Sequence, residues 1–464
     1  MKLKKFIEYS ESLLPHEVRL LERLSQFRDR DREHIFQTVY HNSLSQHAKK
    51  EYSANINKRK YSHLMQWMQG KLEENCTDHF YEKLNYLDSR IKADLIDTEE
   101  ERELLKILKQ YQTHHYHFLR FYEVVKDYLN FLLIRVRMND YKLINDFIHA
   151  YHDDYRRGKD INDRLTQCSS DIVNDYHRNI LSDQALRWSN WLKKNIQDQQ
   201  LDGLNRYQSL VLLTYLALMD ESLIQETLHF YGEIEEDIIN GTYYSRKLLI
   251  NYYGNKQLLL MKLHKYDLAL HYGELSTNID GPDYVMYLTN YAFNLMRLGK
   301  TEKALEIMQN ALPSIKNMSN RYNRTLFISS MIRGYNENKA YERSKRYAEN
   351  QLQLYEKDIL EHNWHRFFRN YFESLVHLRD YQTLRKVLKK YNLLERENFL
   401  LTQFTGYPYF NWFSKLIKYK QGSITEKRFM GDIRKEIEKL TETYGVEPSS
   451  SIVKLMDKAI YELV

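Results

Sequence analysis

Apolar and aromatic residues in this 464-residue chain gather in short runs separated by polar breaks, and five of the runs share one plan. The segments Tyr128–Tyr141, Tyr253–Tyr266, Leu288–Thr301, Ile328–Tyr341 and Phe368–Tyr381 each open on an apolar or aromatic residue, with Asn, or once Ser, two positions later. An apolar run at helical spacing follows, then a polar break, and a Tyr or Thr stands eleven residues past the Asn. A second apolar helix comes next. A looser sixth copy runs from Tyr409 through Asn411 and Trp412 to Gly422. The recurrent positions are Asn130, Asn255, Asn290, Ser330, Asn370 and Asn411, and the last five are spaced 35, 40, 40 and 41 residues apart. The 125-residue interval after Asn130 has room for three degenerate units, and Tyr207–Met219 followed by Leu223–Ile234 reads as one of them. A helix–turn–helix unit at this period predicts stacked helical hairpins, because a single hairpin cannot bury its apolar side alone.

The pattern divides the chain into four stretches. Residues 1–120 read as long charged helices without the repeat, with Asp97-Thr98-Glu99-Glu100 as an N-cap that opens one of them. Residues 121–240 read as degenerate hairpins with a polar, irregular, looser stretch around 156–205, and residues 241–422 as the repeat array. Residues 423–464 read as capping helices: Ser423-Ile-Thr-Glu426 matches a capping box for a helix over 424–443, Gly445-Val-Glu-Pro448 breaks the chain, and a last helix spans Ser451–Val464.

Composition supports helices. The chain has only 5 Pro and 14 Gly, too few for the turns that strands require. Its 39 Tyr suit the half-buried positions of thin, two-layer helical arrays, where a ring packs inward and the hydroxyl finds water or a partner. Net charge is +6, much of it near the start, where residues 1–60 carry 13 Lys and Arg against 8 acids. In Arg28-Asp29-Arg30-Asp31-Arg32-Glu33 the signs alternate, as on a solvated helix face rather than a nucleic-acid stripe. The apolar stretches Tyr128–Val136 and Leu210–Met219 fall short of the ~20 residues of a membrane span. The first ten residues have no apolar signal-peptide core, and two distant cysteines, Cys76 and Cys168, fit a reducing, cytoplasmic setting.

Within Leu288–Leu312, Ala292, Gly299, Ala304, Leu305, Met308 and Ala311 alternate small and large side chains as helices that cross closely require, and Tyr266 and Ala269 match in the preceding unit. This unit resembles a tetratricopeptide repeat, and its neighbours resemble divergent, slightly longer relatives in which Ser344 and Leu384 replace the usual Ala. The resemblance implies an all-α fold, a right-handed superhelical α-solenoid of stacked antiparallel hairpins. It also implies a habit of binding protein segments in the concave groove.

Candidate chemistry is sparse. His114 and His117 share a helix face, but no third ligand at metal spacing accompanies them. Cys76 has His79 three positions on, with no third group to orient it. Phosphate-cradling loops and a nucleophile elbow are absent, so no catalytic, cofactor or metal residue is assigned. The recurrent Asn255, Asn290, Ser330, Asn370 and Asn411 have two readings: a groove ladder that bonds an extended peptide, or packing devices that satisfy neighbouring backbone. Arg297, Arg333, Arg366 and Arg369 are expected near the same face; sharing the groove, they favour an acidic peptide or a chain-terminal carboxylate. The aromatic run Phe404–Phe413 reads as a plug for the end of the array or, alternatively, a partner anchor.

The expected function is a non-enzymatic scaffold or adaptor that binds a protein or peptide partner. Alternatives are a bacterial peptide- or ligand-responsive regulator with 1–120 as effector, and an RNA-binding helical-repeat protein, for which the only support is the basic start and the Tyr content.

Overall fold

The computed structural model describes residues 3–45, 49–111, 115–138, 140–178, 181–278, 281, 283–316, 318–403, 406–445 and 447–461. Among them the chain is all-helical, without strands, and each helix packs on neighbours. It forms two compact units that divide between Lys265 and Tyr266, inside the stretch expected as one array.

The first unit holds α1 (Lys4–Ser12), α2 (Pro15–Leu24), α3 (Arg30–Leu44), α4 (Lys58–Glu74), α5 (Thr77–Lys92), α6 (Thr98–Gln110), α7 (Phe118–Ile134), α8 (Tyr141–Ala150), α9 (His152–Arg178), α10 (Asp183–Gln197), α11 (Gly203–Met219), α12 (Ile224–Ile239) and α13 (Arg246–Lys262). The second holds α14 (Tyr266–Ser276), α15 (Tyr284–Arg297), α16 (Thr301–Asn310), α17 (Leu312–Lys316), α18 (Arg321–Glu337), α19 (Tyr341–His362), α20 (Trp364–His377), α21 (Tyr381–Lys390), α22 (Leu393–Gln403), α23 (Tyr409–Lys420), α24 (Glu426–Tyr444) and α25 (Ser450–Tyr461).

Helix ends follow local chemistry. Asp97 caps α6 as its sequence predicts, and Glu100 accepts from the Asp97 N–H to complete a capping box. The expected start of α24 is displaced: Thr425, not Ser423, caps it. The reason is that the Ser423 N–H is already committed to the Lys418 carbonyl, closing α23. The stretch around 156–205 is not loose. It forms α9 and α10, and α9 buries Leu165, Cys168 and Ile172 at helical spacing against α11.

One turn recurs. Val136, His264, Gly299, Lys339, Arg379 and Gly422 stand in the left-handed region just past α7, α13, α15, α18, α20 and α23, with φ between 56° and 71°. In each, the next residue's N–H bonds the carbonyl five residues back, as Lys300 to Leu295, Ala340 to Tyr335 and Asp380 to Leu375, all at 2.9 Å. This closure satisfies carbonyls that the helix end leaves open and reverses the chain into the next helix. Gly299, Lys339 and Arg379 each lie nine residues past Asn290, Ser330 and Asn370, so the sequence repeat and the turn share one register.

In the second unit α15 packs on α18, α18 on α20, and α20 on α23, while α16, α19 and α21 each pack on the helix that follows the next turn. Ala292, Ala304, Met308 and Ala311 are buried as their pattern predicts. Gly334 leaves room for the end of the Met308 side chain: a Cβ there would lie 2.9 Å from the Met308 Cε. The aromatic run is interior from Tyr407 through Phe413, consistent with a plug; Phe404 and Thr405 lie outside the described residues.

In the first unit a polar latch joins α2 to α12 and α13. Ionised Glu235 accepts from His16 Nε2 (3.0 Å), Arg19 (3.1 Å) and Tyr252 (2.8 Å), and the Tyr253 hydroxyl donates to His16 Nδ1 (2.7 Å). Burial works to raise the Glu235 carboxyl, but the bonds from His16 and Tyr252 hold it down at about 2. Burial also lowers His16, so the imidazole is neutral with its proton on Nε2. Beside it Glu17, fully buried, accepts from the Leu14 N–H (2.8 Å) and the Tyr244 hydroxyl (2.9 Å). Tyr253→Phe leaves His16 Nδ1 buried without its donor. Urea unfolding of this variant is expected to show a loss of about 1–2 kcal/mol; unchanged stability would show that the latch does not hold α2 in place.

Candidate partner-binding face

The face is built on α15, α18, α20 and the start of α23. The 40-residue register places Phe293, Arg333 and Glu373 at equivalent positions on three successive packed helices. The Arg333 guanidinium lies 5.2 Å from the Phe293 ring centroid and that of Arg366 lies 6.0 Å from the same ring. Arg369 lies 5.7 Å from the Tyr409 ring. Guanidinium planes over aromatic faces gain cation–π attraction and are held for use. Arg333 also donates to Glu337 at 3.3 Å, one turn on. Arg366 and Arg369 have no ion pair among the described residues.

Electrostatics mark the same place. Arg369 is held below the usual range by burial and, against the pull of Tyr409, by repulsion from Arg366 and Arg333. Burial, then Arg369 and Arg366, push His365 down to about 4, leaving it neutral near pH 7. Burial, then the charge of Glu337, push Glu373 up to about 7 despite Arg333 and Arg369. Burial likewise raises Glu397 to about 7, although the Phe410 and Asn411 N–H groups (2.9 Å each) and the Asn411 amide (3.1 Å) donate to it. Glu397 thus caps the start of α23 and sets Tyr409 beside Arg369. Arg369, His365 and Glu373 thus have displaced protonation equilibria beside one another on α20.

The expected residues separate into two groups. Arg333, Arg366 and Arg369 come together. Arg297 is exposed in the last turn of α15, and Asn290 is half-buried on that helix. Ser330 and Asn370 are interior residues, the packing alternative of their two readings rather than groove contacts: Ser330 donates to the Leu326 carbonyl (2.8 Å) and Asn370 to the Ser329 carbonyl (2.8 Å). Around them Asn336 donates to the Asn370 carbonyl, Ser374 to Asn336, and Ser374 meets Ser344, each at 2.8 Å. Of the recurrent positions, Asn370 ties its hairpin to the preceding one, whereas Ser330 bonds within its own helix. Asn255 is in the first unit, on α13, where its amide donates to Asn251 (2.9 Å). Asn411 serves Glu397. Phe293, Glu337, Glu373 and His365 were not singled out by sequence, and the 40-residue offset carries the signal for Phe293 and Glu373; Tyr409 was named only as part of the aromatic run and the sixth copy.

Other chemistry does not assemble. Among the described residues no three His, Cys, Asp or Glu side chains converge as metal ligands, and no helix is long and apolar enough to cross a membrane. Burial raises the Cys76 thiol and pushes that of Cys168 up to about 12, away from the reactive thiolate. His117 is pushed down by burial to about 4, and His114 lies outside the described residues. No protein-family model, curated protein or solved structure matches the chain.

Two outcomes follow from these positions. Asn370→Ala removes a buried tie between hairpins and is expected to cost about 1–2 kcal/mol in urea unfolding; a neutral result would return Asn370 to the surface. Glu373 has a folded pKa above its unfolded value, so its stabilising contribution is present below about pH 4.5 and lost as pH rises through about 7. Glu373→Gln should therefore exceed the native chain in stability by about 1–2 kcal/mol at pH 8, with the gap closing by pH 5. A gap that widens toward pH 5 would reverse the assigned shift.

Proposed function

We propose that the chain is a helical-repeat interaction protein, its second unit a tetratricopeptide-like solenoid that binds an acidic peptide segment of a partner protein on the face of Phe293, Arg333, Arg366, Arg369 and Tyr409. The observation that carries this reading is the pair Arg366 and Arg369, one turn apart on α20, backed by aromatic rings and without an ion pair to a carboxylate among the described residues. Arg369, half-buried and repelled by Arg366 and Arg333, favours an occupant that brings carboxylates, whose two oxygens match the guanidinium fork. The aromatic rings between them suit the apolar side chains of such a segment. Successive helices α15, α18, α20 and α23 offer this surface in steps, as an extended peptide requires. Glu373, raised by burial to about 7, brings less negative charge to the face near neutral pH than an ordinary glutamate.

The test is fluorescence anisotropy with a labelled Asp/Glu-rich peptide, its Asn/Gln counterpart, and a single-stranded RNA of equal length. The acidic peptide is expected to bind, and the Arg366→Glu/Arg369→Glu variant to weaken it about 100-fold, roughly tenfold for each lost charge-assisted contact. Equal binding of the uncharged peptide, or RNA binding lost in the same variant, would overturn the reading.

A further inference from the structure

The turn after α7 breaks the rule that its counterparts keep. Among the described residues the other non-glycine residues at positive φ are Asp94, His264, Lys339, Arg379 and Asn392, all polar. Val136, at φ 56°, is β-branched, the side-chain type that fits this backbone region worst. Nothing in the chain rewards the strain by packing, for Val136 is 79% exposed. Its neighbours Leu133, Ile134 and Met138 are also exposed, Ile134 to 78%. Leu95 adds to the same patch, since Asp94 beside it pairs with Arg135.

The charges around this knuckle are cancelled internally. Arg135 pairs with Asp94 and stacks 3.9 Å over the Phe131 ring, and Arg137 bonds both oxygens of Glu101, one of them at 2.7 Å. An apolar patch with neutralised flanks neither repels an identical patch nor draws an anionic lipid surface.

We propose that this knuckle is a self-association surface, on which two copies of the chain meet about a two-fold axis. The exposed side chains offer several hundred Å² per copy, a size that marks interaction sites on soluble proteins. Two copies would bury roughly 1,000 Å², the lower edge of specific interfaces, so the pair is reversible, with Kd on the order of 10–100 µM. An isologous contact needs only one surface that complements itself, and an uncharged apolar convexity flanked by closed ion pairs meets that condition.

Sedimentation velocity of the full chain from about 1 to about 300 µM tests it, with Ile134→Lys and Val136→Asn beside the native sequence. The native chain should shift toward dimer as concentration rises, and both variants should remain monomeric. Val136→Asn should also melt about 2 °C higher, because Asn tolerates the left-handed turn. A native chain that stays monomeric at the highest concentration, or a dimer that survives both substitutions, would overturn the proposal. So would binding of the monomer to phosphatidylcholine/phosphatidylserine vesicles that Ile134→Lys abolishes, which would assign the patch to a membrane surface.

Discussion

A left-handed residue at the end of the first helix of each hairpin is the constraint on which the second unit depends. Gly299, Lys339, Arg379 and Gly422 reverse the chain in the same way, and each is closed by a bond from the next N–H to a carbonyl five residues back. Identical reversals at a 40-residue step bring equivalent side chains to equivalent places. That is why Phe293, Arg333 and Glu373 lie along one face rather than scattered over three helices. Lys339 and Arg379 adopt a conformation that costs an L-residue roughly 1–2 kcal/mol, so packing of the paired helices must exceed it.

A second constraint is that the packed helices bury polar as well as apolar side chains. Large Tyr rings fill the interior, and some of their hydroxyls take partners: Tyr371 reaches Glu349 (3.0 Å), Tyr61 the Ser53 carbonyl (2.8 Å), while those of Tyr111 and Tyr128 have none among the described residues. Small polar side chains do the same work between hairpins, as Asn336, Asn370 and Ser374 show. In the first unit, where the repeat is degenerate, the His16–Glu235 latch joins helices more than two hundred residues apart in sequence. Unpaired buried groups are costly, so each such bond also disfavours alternative packings.

How much of this was legible depended on sequence distance. The helical class, the hairpin period, the Asp97 cap and the buried Ala292, Ala304 and Met308 follow from local pattern, and the structure has them. Arg297, Arg333, Arg366 and Arg369 were expected near one face, with scattered solvated charge as the other reading; Arg333, Arg366 and Arg369 lie by the rings of Phe293 and Tyr409, while Arg297 is exposed at the end of α15. Ser330 and Asn370 were harder, because a polar residue that recurs at a fixed period fits a ligand ladder and a packing tie equally until burial is known. The latch left no trace in the sequence: His16 and Glu235 belong to no motif, and only tertiary packing brings them together. The α9–α10 stretch was misread as loose because its few apolar residues are diluted among charges on a long solvated helix.

Function, in this view, is a consequence of repetition. The proposed row of hairpins gives the arginine face its length, and a closed packing of the same helices would fold that face away. The most direct measurement is the distance between spin labels at Arg297→Cys on α15 and Lys418→Cys on α23, both exposed, in a Cys76→Ser/Cys168→Ser background. Three helix-to-helix steps of about 8–10 Å predict a separation of roughly 25–30 Å in a double electron–electron resonance experiment. A separation below about 15 Å would mean that α15 and α23 pack together as neighbours, and the row, with the face it carries, would not exist.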